Sequence, residues 1–303
     1  MQAPDTFDAP VGQAEWMQEG LRRILAPNPS PMTYRGTNTY LIGERDIAVV
    51  DPGPDSAAHL QAILDALEPG QRISHILVTH AHLDHSPLAR RLSEVTDAPV
   101  LAYGDHLAGR SAVMTQLAAD GMAGGGEGVD ATFRPDQTLA DGEVVSGDGW
   151  QLQALWTPGH FGNHLSFVFG QAILTGDLVM GWASSLVSPP DGDLTDFMQS
   201  CEQLRQRPAE VYHAGHGAPI EAPHARLNWL LSHRRSRESQ ILAALDGQGA
   251  DVSSLTREIY TDTPAALLPA AERNVFAHLV DLYGKNTVFC EGVLSFKARF
   301  SLR

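Results

Sequence analysis

The sequence predicts a mixed α/β protein in which a large unit over residues 1–222 precedes a small, mainly helical unit over residues 223–303. Short runs of β-branched and other apolar residues recur through the large unit, and segments with apolar residues at helical spacing separate them. From Pro223 the pattern changes to three helical segments followed by two short apolar runs. With 303 residues the chain exceeds one ordinary domain and has room for a large domain and a small one.

The elements of the large unit follow in order from these patterns. Residues 1–30 are rich in proline and irregular, with one short helix expected around residues 15–24. Ser56 is expected to cap the first long helix, and Asp193 or Thr195 is expected to cap the last one. The predicted strands are residues 39–43, 46–51, 73–79, 100–103, 151–156, 165–169 and 172–174, and the predicted helices are residues 56–67, 88–95 and 195–205.

One glycine-rich segment interrupts this succession. Residues 121–128 (GMAGGGEG) hold five glycines in eight positions, so no regular element is expected there. Two interpretations stay open: a mobile flap over a functional cleft, or a tolerant surface loop.

The small unit is predicted to contain three helices and a hairpin. The first helix carries the basic run Arg234-Arg235-Ser236-Arg237 in its middle, which fits either contact with nucleic acid or an ordinary solvated helix face. The helices are predicted at residues 225–245, 253–260 and 264–283, and the two strands at residues 286–289 and 293–296, around Glu291 and Gly292.

A dense group of metal-ligand side chains follows the predicted strand at residues 73–79. The segment THAHLDHS, residues 79–86, holds three histidines and one aspartate within six positions. Neutral imidazole and carboxylate are ligands that borderline divalent ions prefer. Because alternate residues of an extended segment point the same way, His80 and His82 can reach one ion. Asp84 and His85 then serve a neighbouring position.

Three later segments deliver one further ligand-type side chain each. His160, Asp177 and His216 all lie in short glycine-containing turns, and His160 and Asp177 come within four residues of the end of a predicted strand. Loops at strand ends are where a rigid sheet commonly holds its chemistry. Together with the first cluster, the four segments predict a site for two metal ions.

The pattern His80-x-His82-x-Asp84-His85, followed by His160, Asp177 and His216, resembles the metallo-β-lactamase superfamily of hydrolases over about residues 38–220. The resemblance implies a four-layer αββα sandwich in residues 1–222. It also implies that His80, His82 and His160 bind the first metal, that Asp84, His85 and His216 bind the second, and that Asp177 bridges the two. Asp51 is interpreted as a group that orients ligand histidines, or alternatively as a simple turn residue before Pro52.

Three helices and a hairpin in residues 223–303 resemble the winged-helix module that follows the catalytic domain in one group of these hydrolases. The segment of residues 28–40 also resembles the entry region of that group. A winged helix suggests contact with nucleic acid, but many such modules only pack against a neighbour or dimerise, so both interpretations stay open.

The resemblance implies hydrolysis by a metal-bridging hydroxide that attacks a carbonyl or phosphoryl centre. Two divalent ions are expected, with Zn²⁺ fitting the histidine-rich, thiolate-free ligands best and iron or manganese an alternative in one position. Two catalytic residues are predicted. Asp84 would also hold the hydroxide's proton, and His164 would donate a hydrogen bond to substrate or to a ligand carboxylate. His213 is expected to be a packing residue, and Trp182, Ser184 and Ser185 are candidates for the cleft wall.

Two substrate classes remain open at this point. One is a phosphodiester, with single-stranded RNA as the candidate partner. The other is a thioester or related ester, as in the similar glyoxalase II and acyl-carrier thioesterase branches. A third interpretation, a metal-stabilised scaffold without activity, is disfavoured by the complete ligand set. β-Lactam hydrolysis is not expected, because no secretion signal precedes the domain and that branch uses a different second-metal set.

Composition constrains the setting and the partners. The chain has 21 Lys/Arg and 36 Asp/Glu, a net charge of −15, which argues against indiscriminate nucleic-acid binding. Residues 226–303 carry 10 basic and 8 acidic residues, which leaves 11 and 28 for residues 1–225. Cys201 and Cys290 form no paired motif, no apolar run is long enough for a membrane span, and the first twenty residues show no secretion signal. A cytoplasmic protein without membrane contact is therefore expected, with homo-oligomerisation left open.

Overall fold

The computed structural model describes residues 7–126 and 128–303, and the first half of the large unit forms a seven-stranded mixed sheet. Its strands lie side by side in chain order, antiparallel from β1 to β4 and parallel from β4 to β7. They are β1 (Ala14–Gln18), β2 (Leu21–Leu25), β3 (Asn38–Ile42), β4 (Asp46–Val50), β5 (Arg72–Leu77), β6 (Val100–Ala102) and β7 (Gln137–Thr138).

A second sheet of five strands faces the first. Its order is β12-β11-β10-β9-β8, antiparallel except for the parallel pair β11 and β12. Its strands are β8 (Val144–Gly147), β9 (Trp150–Trp156), β10 (Leu165–Phe169), β11 (Ala172–Gly176) and β12 (Val211–Ala214).

Helices cover the two outer faces and build the small unit. Ser56 accepts a hydrogen bond from the His59 N–H and caps the first helix, as predicted. Of the two candidates for the fourth helix, Asp193 is the cap and accepts from the Thr195 N–H. The helices are α1 (Ala57–Asp65), α2 (Leu88–Thr96), α3 (Ala112–Ala119), α4 (Leu194–Arg205), α5 (Pro223–Ala244), α6 (Val252–Ile259) and α7 (Leu268–Gly284), and a 3-10 turn (Ala265–Leu267) precedes α7.

The period of two in the strands separates two apolar layers. In β3, Leu41 packs towards α1 and α2, whereas Tyr40 and Ile42 pack between the two sheets. The other face of the second sheet, with Ile173, packs against Phe197 of α4 and the first half of α5. The layers are therefore helix, sheet, sheet, helix, and the predicted αββα sandwich is confirmed.

The small unit has its own apolar core. The end of α5, together with α6 and α7, packs on a three-stranded sheet in the order β13 (Ala250–Asp251), β15 (Arg299–Leu302) and β14 (Val288–Cys290). Met114 and Leu117 of α3 join this core, although they belong to the large unit. Because Leu227 and Leu230 of α5 lie in the core of the second sheet, α5 contributes to both units. The boundary between residues 222 and 223 stays a prediction.

Two predicted elements are wrong. The helix expected around residues 15–24 is the hairpin of β1 and β2, joined by Glu19-Gly20 with Gly20 at φ +72°. All five residues of β2 are buried, which one face of a surface helix could not achieve. The second wing strand is β15 rather than residues 293–296. Val293 is 73% exposed, whereas Phe300 of β15 is fully buried in the core.

Several shorter features also bear on the predictions. The glycine-rich segment contains no helix or strand at residues 121–126 and 128, as expected, and Glu127 lies outside the described residues, as do residues 1–6 of the irregular start. Cys201 and Cys290 are unpaired and buried. Within the described part of the chain, no helix has the length and apolar character that a membrane crossing requires.

Candidate metal centre

All the predicted ligand side chains converge at one end of the two sheets. The segment of residues 79–86 follows β5, His160 follows β9, Asp177 follows β11, and His216 follows β12. The seven side chains are buried, none more than 7% exposed, and they form two groups whose potential ligand atoms lie within 4.8 Å of one another. The groups are His80, His82 and His160, and Asp84, His85, Asp177 and His216.

In the first group three imidazole nitrogens face a common point. The Nδ1 atom of His82 lies 2.9 Å from Nε2 of His80 and 3.1 Å from Nε2 of His160. Burial lowers the pKa of His82 to about 3, with the neighbouring His160 adding to the effect. Burial also lowers the pKa of His80 and His160. All three rings are therefore neutral near pH 7, which is the form that binds a metal ion.

In the second group two carboxylates and two imidazoles alternate. Nε2 of His216 lies 3.1 Å from Oδ2 of Asp84 and 3.3 Å from Oδ2 of Asp177. Nε2 of His85 lies 3.3 Å from Oδ2 of Asp84 and 3.5 Å from Oδ1 of Asp177. Asp177 also connects the two groups, since its Oδ2 is 3.7 Å from Nε2 of His160.

In the second group the carboxylates and the imidazoles shift each other's pKa values in opposite directions. Burial by itself would raise the pKa of both carboxylates, but the adjacent histidines outweigh it and hold the pKa of Asp84 and Asp177 below the usual range. Burial would lower the pKa of His216, but Asp177 and Asp84 outweigh it and raise that pKa to about 10. Without a metal, the positive charge beside the carboxylates comes from protonated histidines. A divalent cation can replace these protons and supply the positive charge instead.

The donor set fits a pair of divalent ions. Oδ1 of Asp84 and Oδ1 of Asp177 are buried and have no hydrogen-bond partner, which is costly unless a cation satisfies them. In the first group, nitrogens of neutral rings approach each other to hydrogen-bond distance at one point, as they do around a shared ion. Four of the five rings point Nε2 inward and His82 points Nδ1 inward, with no thiolate among the donors.

Asp51 supports two of the ligand histidines from below. Its Oδ2 accepts hydrogen bonds from His85 Nδ1 at 2.9 Å and from Thr79 Oγ1 at 2.8 Å, and its Oδ1 accepts from the Thr79 N–H at 2.7 Å. Thr79 Oγ1 in turn accepts from Nδ1 of His80 at 2.9 Å. These bonds leave Nε2 of both rings free to face the centre. The geometry favours the orienting role for Asp51, although Asp51 also forms a turn at φ +52°.

Backbone carbonyls orient two more of the predicted ligands. Nδ1 of His160 donates to the Leu186 carbonyl at 2.7 Å, and Nδ1 of His216 donates to the Gly36 carbonyl at 3.0 Å. Each bond fixes the ring tautomer and directs Nε2 towards the centre.

His164 lies behind the centre rather than beside the cleft. It is fully buried, its Nε2 accepts a hydrogen bond from the Asp177 N–H at 3.2 Å, and its Nδ1 donates to Thr157 Oγ1 at 2.9 Å. Burial lowers its pKa to about 3, so the ring is neutral. The predicted hydrogen bond to a ligand carboxylate is absent from this arrangement, and the bond reaches the backbone of the carboxylate residue instead. The catalytic assignment stays a prediction, and the geometry describes a residue that positions Asp177.

Two glycines allow this close packing. A Cβ atom at Gly176, which has φ +47°, would lie 2.5 Å from Nε2 of His164. A Cβ atom at Gly215 would lie 2.4 Å from Oδ1 of Asp177 and 2.8 Å from Cε1 of His85. Side chains at either position would displace the ligands.

A cavity of about 250 Å³ opens over both groups of predicted ligands. Trp182 and Ser184 line it as predicted, and Trp182 stacks on Tyr34 at 5.0 Å. Ser185 does not line it, because this residue is fully buried and its hydroxyl donates to the Leu178 carbonyl. The small unit supplies a wall that the sequence did not indicate. These lining residues are Tyr260, Thr263, Leu267, Ala270, Ala271 and Asn274.

The remaining predicted residues lie near the cleft or in the core. Gly126 of the glycine-rich segment lines the cavity, and Arg273 of α7 donates to the carbonyls of Ala123 and Gly124, so the segment borders the cleft. Its role as a flap stays a prediction. His213 is buried with its ring 5.7 Å from that of Tyr40, as a packing residue would be.

The basic run of α5 is not one exposed face. Arg234 is 2% exposed and points into the large unit. Arg235 pairs with Glu202 at 2.8 Å, and the Arg237 guanidinium lies 4.2 Å from the ring centre of Tyr260. The interpretation of this run as a solvated face is therefore wrong for Arg234, and the run offers little free charge to a nucleic acid.

The chain is similar to two protein-family models, to curated relatives and to solved structures. A family model described as the metallo-beta-lactamase superfamily matches residues 32–216, and one described as a beta-lactamase associated winged helix domain matches residues 252–290. The chain is 30% identical over 274 residues to a beta-lactamase-like protein 2 homolog of Drosophila melanogaster, with 86% of each chain covered. It is 31% identical over 230 residues to an atrochrysone carboxyl ACP thioesterase of Aspergillus fumigatus, covering 74% of this chain and 64% of the thioesterase. A solved metallo-beta-lactamase family protein of Thermus thermophilus has a TM-score of 0.76 and 26% identity, with 95% of this chain and 100% of that chain covered.

Proposed function

The chain belongs to the metallo-beta-lactamase superfamily, whose members are generally hydrolases, and from this premise we propose that it is a dinuclear metal-dependent hydrolase of acyl thioesters or related esters. In this proposal His80, His82 and His160 hold one ion, Asp84, His85 and His216 hold the other, and Asp177 contacts both. Zinc is the proposed metal, because the donors are imidazole and carboxylate without thiolate. When bound, two such ions supply an ionised water near neutral pH and polarise the scissile carbonyl.

The side chains of this chain have separable roles in the proposal. Asp84 lines the cavity, and its carboxylate has two oxygens, so one can bind the second ion while the other accepts a hydrogen bond from the attacking water. His164 keeps the Asp177 backbone in place through its Nε2. Trp182 and the residues from α7 exclude water from one side of the carbonyl, which strengthens electrostatic interactions in the site.

The lining of the cavity is the observation that carries the substrate class. Neither lysine nor arginine occurs among the eighteen described lining residues, and nine of them have apolar side chains. A single strand of RNA carries a negative charge on every phosphate and calls for a basic groove with aromatic stacking platforms. An acyl group needs neither of these and gains by burying apolar surface. The apolar lining residues are Pro31, Met32, Met180, Trp182, Ala183, Leu186, Leu267, Ala270 and Ala271.

Two further observations support a thioester over RNA. The basic run in α5 offers a nucleic acid little free charge, because Arg234 is buried, Arg235 pairs with Glu202 and Arg237 lies over the ring of Tyr260. The winged-helix resemblance is then the remaining sequence argument for nucleic-acid contact. One relative, which this chain matches over 64% of its length, is named a thioesterase that acts on an acyl carrier protein. That activity is a property of the relative and agrees with the proposed substrate class.

The test is a direct comparison of substrates. The purified, metal-loaded protein is assayed on acyl thioesters of increasing chain length and on a labelled single-stranded RNA. The double variant His80→Ala, Asp177→Ala serves as the blank, and the double variant His224→Ala, Asp246→Ala, both at exposed positions, serves as the matched control.

We expect thioester turnover in the wild type and in the control, and its loss in the blank. RNA cleavage that disappears in the blank, without any thioester turnover, would replace the thioester proposal by a nuclease. Thioester turnover that persists in the blank would show that the metal centre is not responsible.

A further inference from the structure

Two side chains of the small unit reach the loop that carries Leu186. Arg234 of α5 donates hydrogen bonds to the Ser185 carbonyl and, at 2.9 Å, to Oδ1 of Asn274. The same Oδ1 atom of Asn274, in α7, accepts the N–H of Val187 at 3.1 Å. The two contacts therefore hold the residues on either side of Leu186.

Leu186 is the residue whose carbonyl orients a proposed metal ligand. Nδ1 of His160 donates to this carbonyl at 2.7 Å, which directs Nε2 towards the first group of histidines. The position of the carbonyl depends on the backbone at Ser185 and Val187. Arg234 and Asn274 are thus connected with the ring of His160 through their hydrogen bonds to residues 185 and 187 and through the Leu186 carbonyl between them.

The surroundings of Arg234 indicate that its buried charge serves to hold this loop. The side chain is 2% exposed, and no carboxylate of the described residues lies within ion-pair distance of it. Its hydrogen-bond acceptors are a carbonyl and an amide oxygen, and the ring of Phe197 lies 5.1 Å from its guanidinium. A buried charge without a counter-ion is unfavourable, so a purely packing role would be better served by an apolar side chain.

We propose that Arg234 and Asn274 are positioning residues for the metal ligand His160, holding residues 185–187 so that the Leu186 carbonyl fixes the His160 ring. This inference rests on the proposed metal centre. It makes the small unit a part of that centre, with α5 and α7 acting on the first metal group. The second group has its own supports, Asp51 and the Gly36 carbonyl, and does not depend on this contact.

The test compares metal binding in matched variants. Asn274→Leu removes the amide oxygen at nearly constant volume, whereas Asn274→Asp keeps an acceptor for the Val187 N–H and for Arg234. Arg234→Met removes the charge, and Arg235→Met, one position further along α5 and exposed, is the control. Zinc stoichiometry and affinity are measured by competition with a chromophoric chelator, and the coordination of Co²⁺-substituted protein is followed by its visible absorption. Urea unfolding checks that each variant is folded.

We expect one of the two ions to bind about 10- to 100-fold more weakly in Asn274→Leu and Arg234→Met, the usual cost of losing an orienting partner of a ligand. The Co²⁺ spectrum should change for that ion only. Asn274→Asp and Arg235→Met should bind both ions as the wild type does. A merely structural role would lower stability without separating the two ions.

The inference is overturned if folded Asn274→Leu binds both ions with wild-type affinity and spectrum. It is also overturned if Asn274→Asp is as impaired as Asn274→Leu. Should Arg234→Met fail to fold, the pair of Asn274 variants decides alone, because neither removes the buried cation. A wild-type protein that binds no metal would refute the proposed function itself, a result that the control measurements distinguish.

Discussion

Replacing Asp51 by asparagine tests the support beneath the proposed second metal. The side chain accepts three hydrogen bonds, from the Thr79 N–H, Thr79 Oγ1 and His85 Nδ1. Asparagine keeps the volume and tolerates the positive φ of +52° at this position. It has one acceptor oxygen and one NH₂ group, so at least one of the three donors loses its acceptor.

The magnitude follows from the bonds that are lost. The His85 bond is lost if the NH₂ group takes the place of Oδ2, and otherwise it passes from a charged acceptor to a weaker, neutral one. Loss or weakening of such an orienting partner typically costs 10- to 100-fold in metal affinity, or about 1.4–2.8 kcal/mol. The buried donor left without a partner costs about 1–3 kcal/mol of unfolding free energy. Both effects should appear in Asp51→Asn. Asp55→Asn, four residues later at an exposed position, should show neither effect.

The assay is chelator competition for zinc together with urea unfolding of the metal-loaded protein. An Asp51→Asn variant with unchanged affinity for both ions would refute the reasoning that Asp51 orients His85. Loss of stability without loss of affinity would leave Asp51 as a turn residue only, the alternative that its sequence context also allowed.

Three other outcomes are expected. In Gly215→Ala the new methyl group would overlap two ligand side chains, so we expect at least 10-fold weaker zinc binding, whereas Gly284→Ala, where a Cβ meets nothing within 4 Å, should bind normally. Ala270→Phe enlarges a side chain of the cavity wall and should raise the KM for long acyl chains, so that shorter thioesters are preferred. Ala266→Phe, at an exposed position, is the control, and an unchanged chain-length preference in Ala270→Phe would exclude Ala270 from the acyl site. Burial lowers the pKa of His59 to about 4 in the folded protein, so the unfolded chain takes up a proton between pH 6.5 and about 4 that the folded chain does not. The stabilisation from the neutral ring is therefore present above pH 6.5 and is lost as the pH falls, by at most about 3 kcal/mol, and His59→Gln should flatten this dependence in urea unfolding at pH 5 and 7.

Local patterns carried much of the fold prediction. Strand β10 was predicted with its observed ends, and the caps at Ser56 and Asp193 were found from single residue types, because each depends on neighbours within a few positions. The hairpin at residues 14–25 differs from the predicted helix. Its buried strand β2 contains two arginines, Arg22 and Arg23, and charged residues next to apolar ones are typical of a surface helix. Arg22 donates to the Ala66 carbonyl and to Gln71, and Arg23 pairs with Glu15 on the neighbouring strand, so their described partners are distant or cross-strand. Short strands such as β7 and β13 have too few residues for any periodicity.

In the candidate site, too, the residues marked by a local sequence pattern were predicted, and those whose role depends on distant contacts were not. The spacing from His80 to His85 and the glycine-containing turns around the later residues were enough to identify seven side chains that do converge in the structure. Arg234 and Asn274 gave no such signal. Their significance depends on the docking of α5 and α7 against a loop about 50 and 90 residues earlier, and a buried arginine looks like a surface arginine in a helical sequence.

The continuous helix α5 has a consequence for how such proteins can be recombined. Its first turns fill the layer beneath the second sheet, and its last turns fill the core of the wing-bearing module. A chimaera joined just before Pro223 would import a foreign face into the layer that contains Leu227 and Leu230, even when the imported module folds well. A junction after α5, near residue 246, would instead place a foreign helix end in the core that contains Ile241 and Leu245. Exchanges among relatives should therefore succeed when the two faces of α5 match both apolar layers, wherever the junction falls.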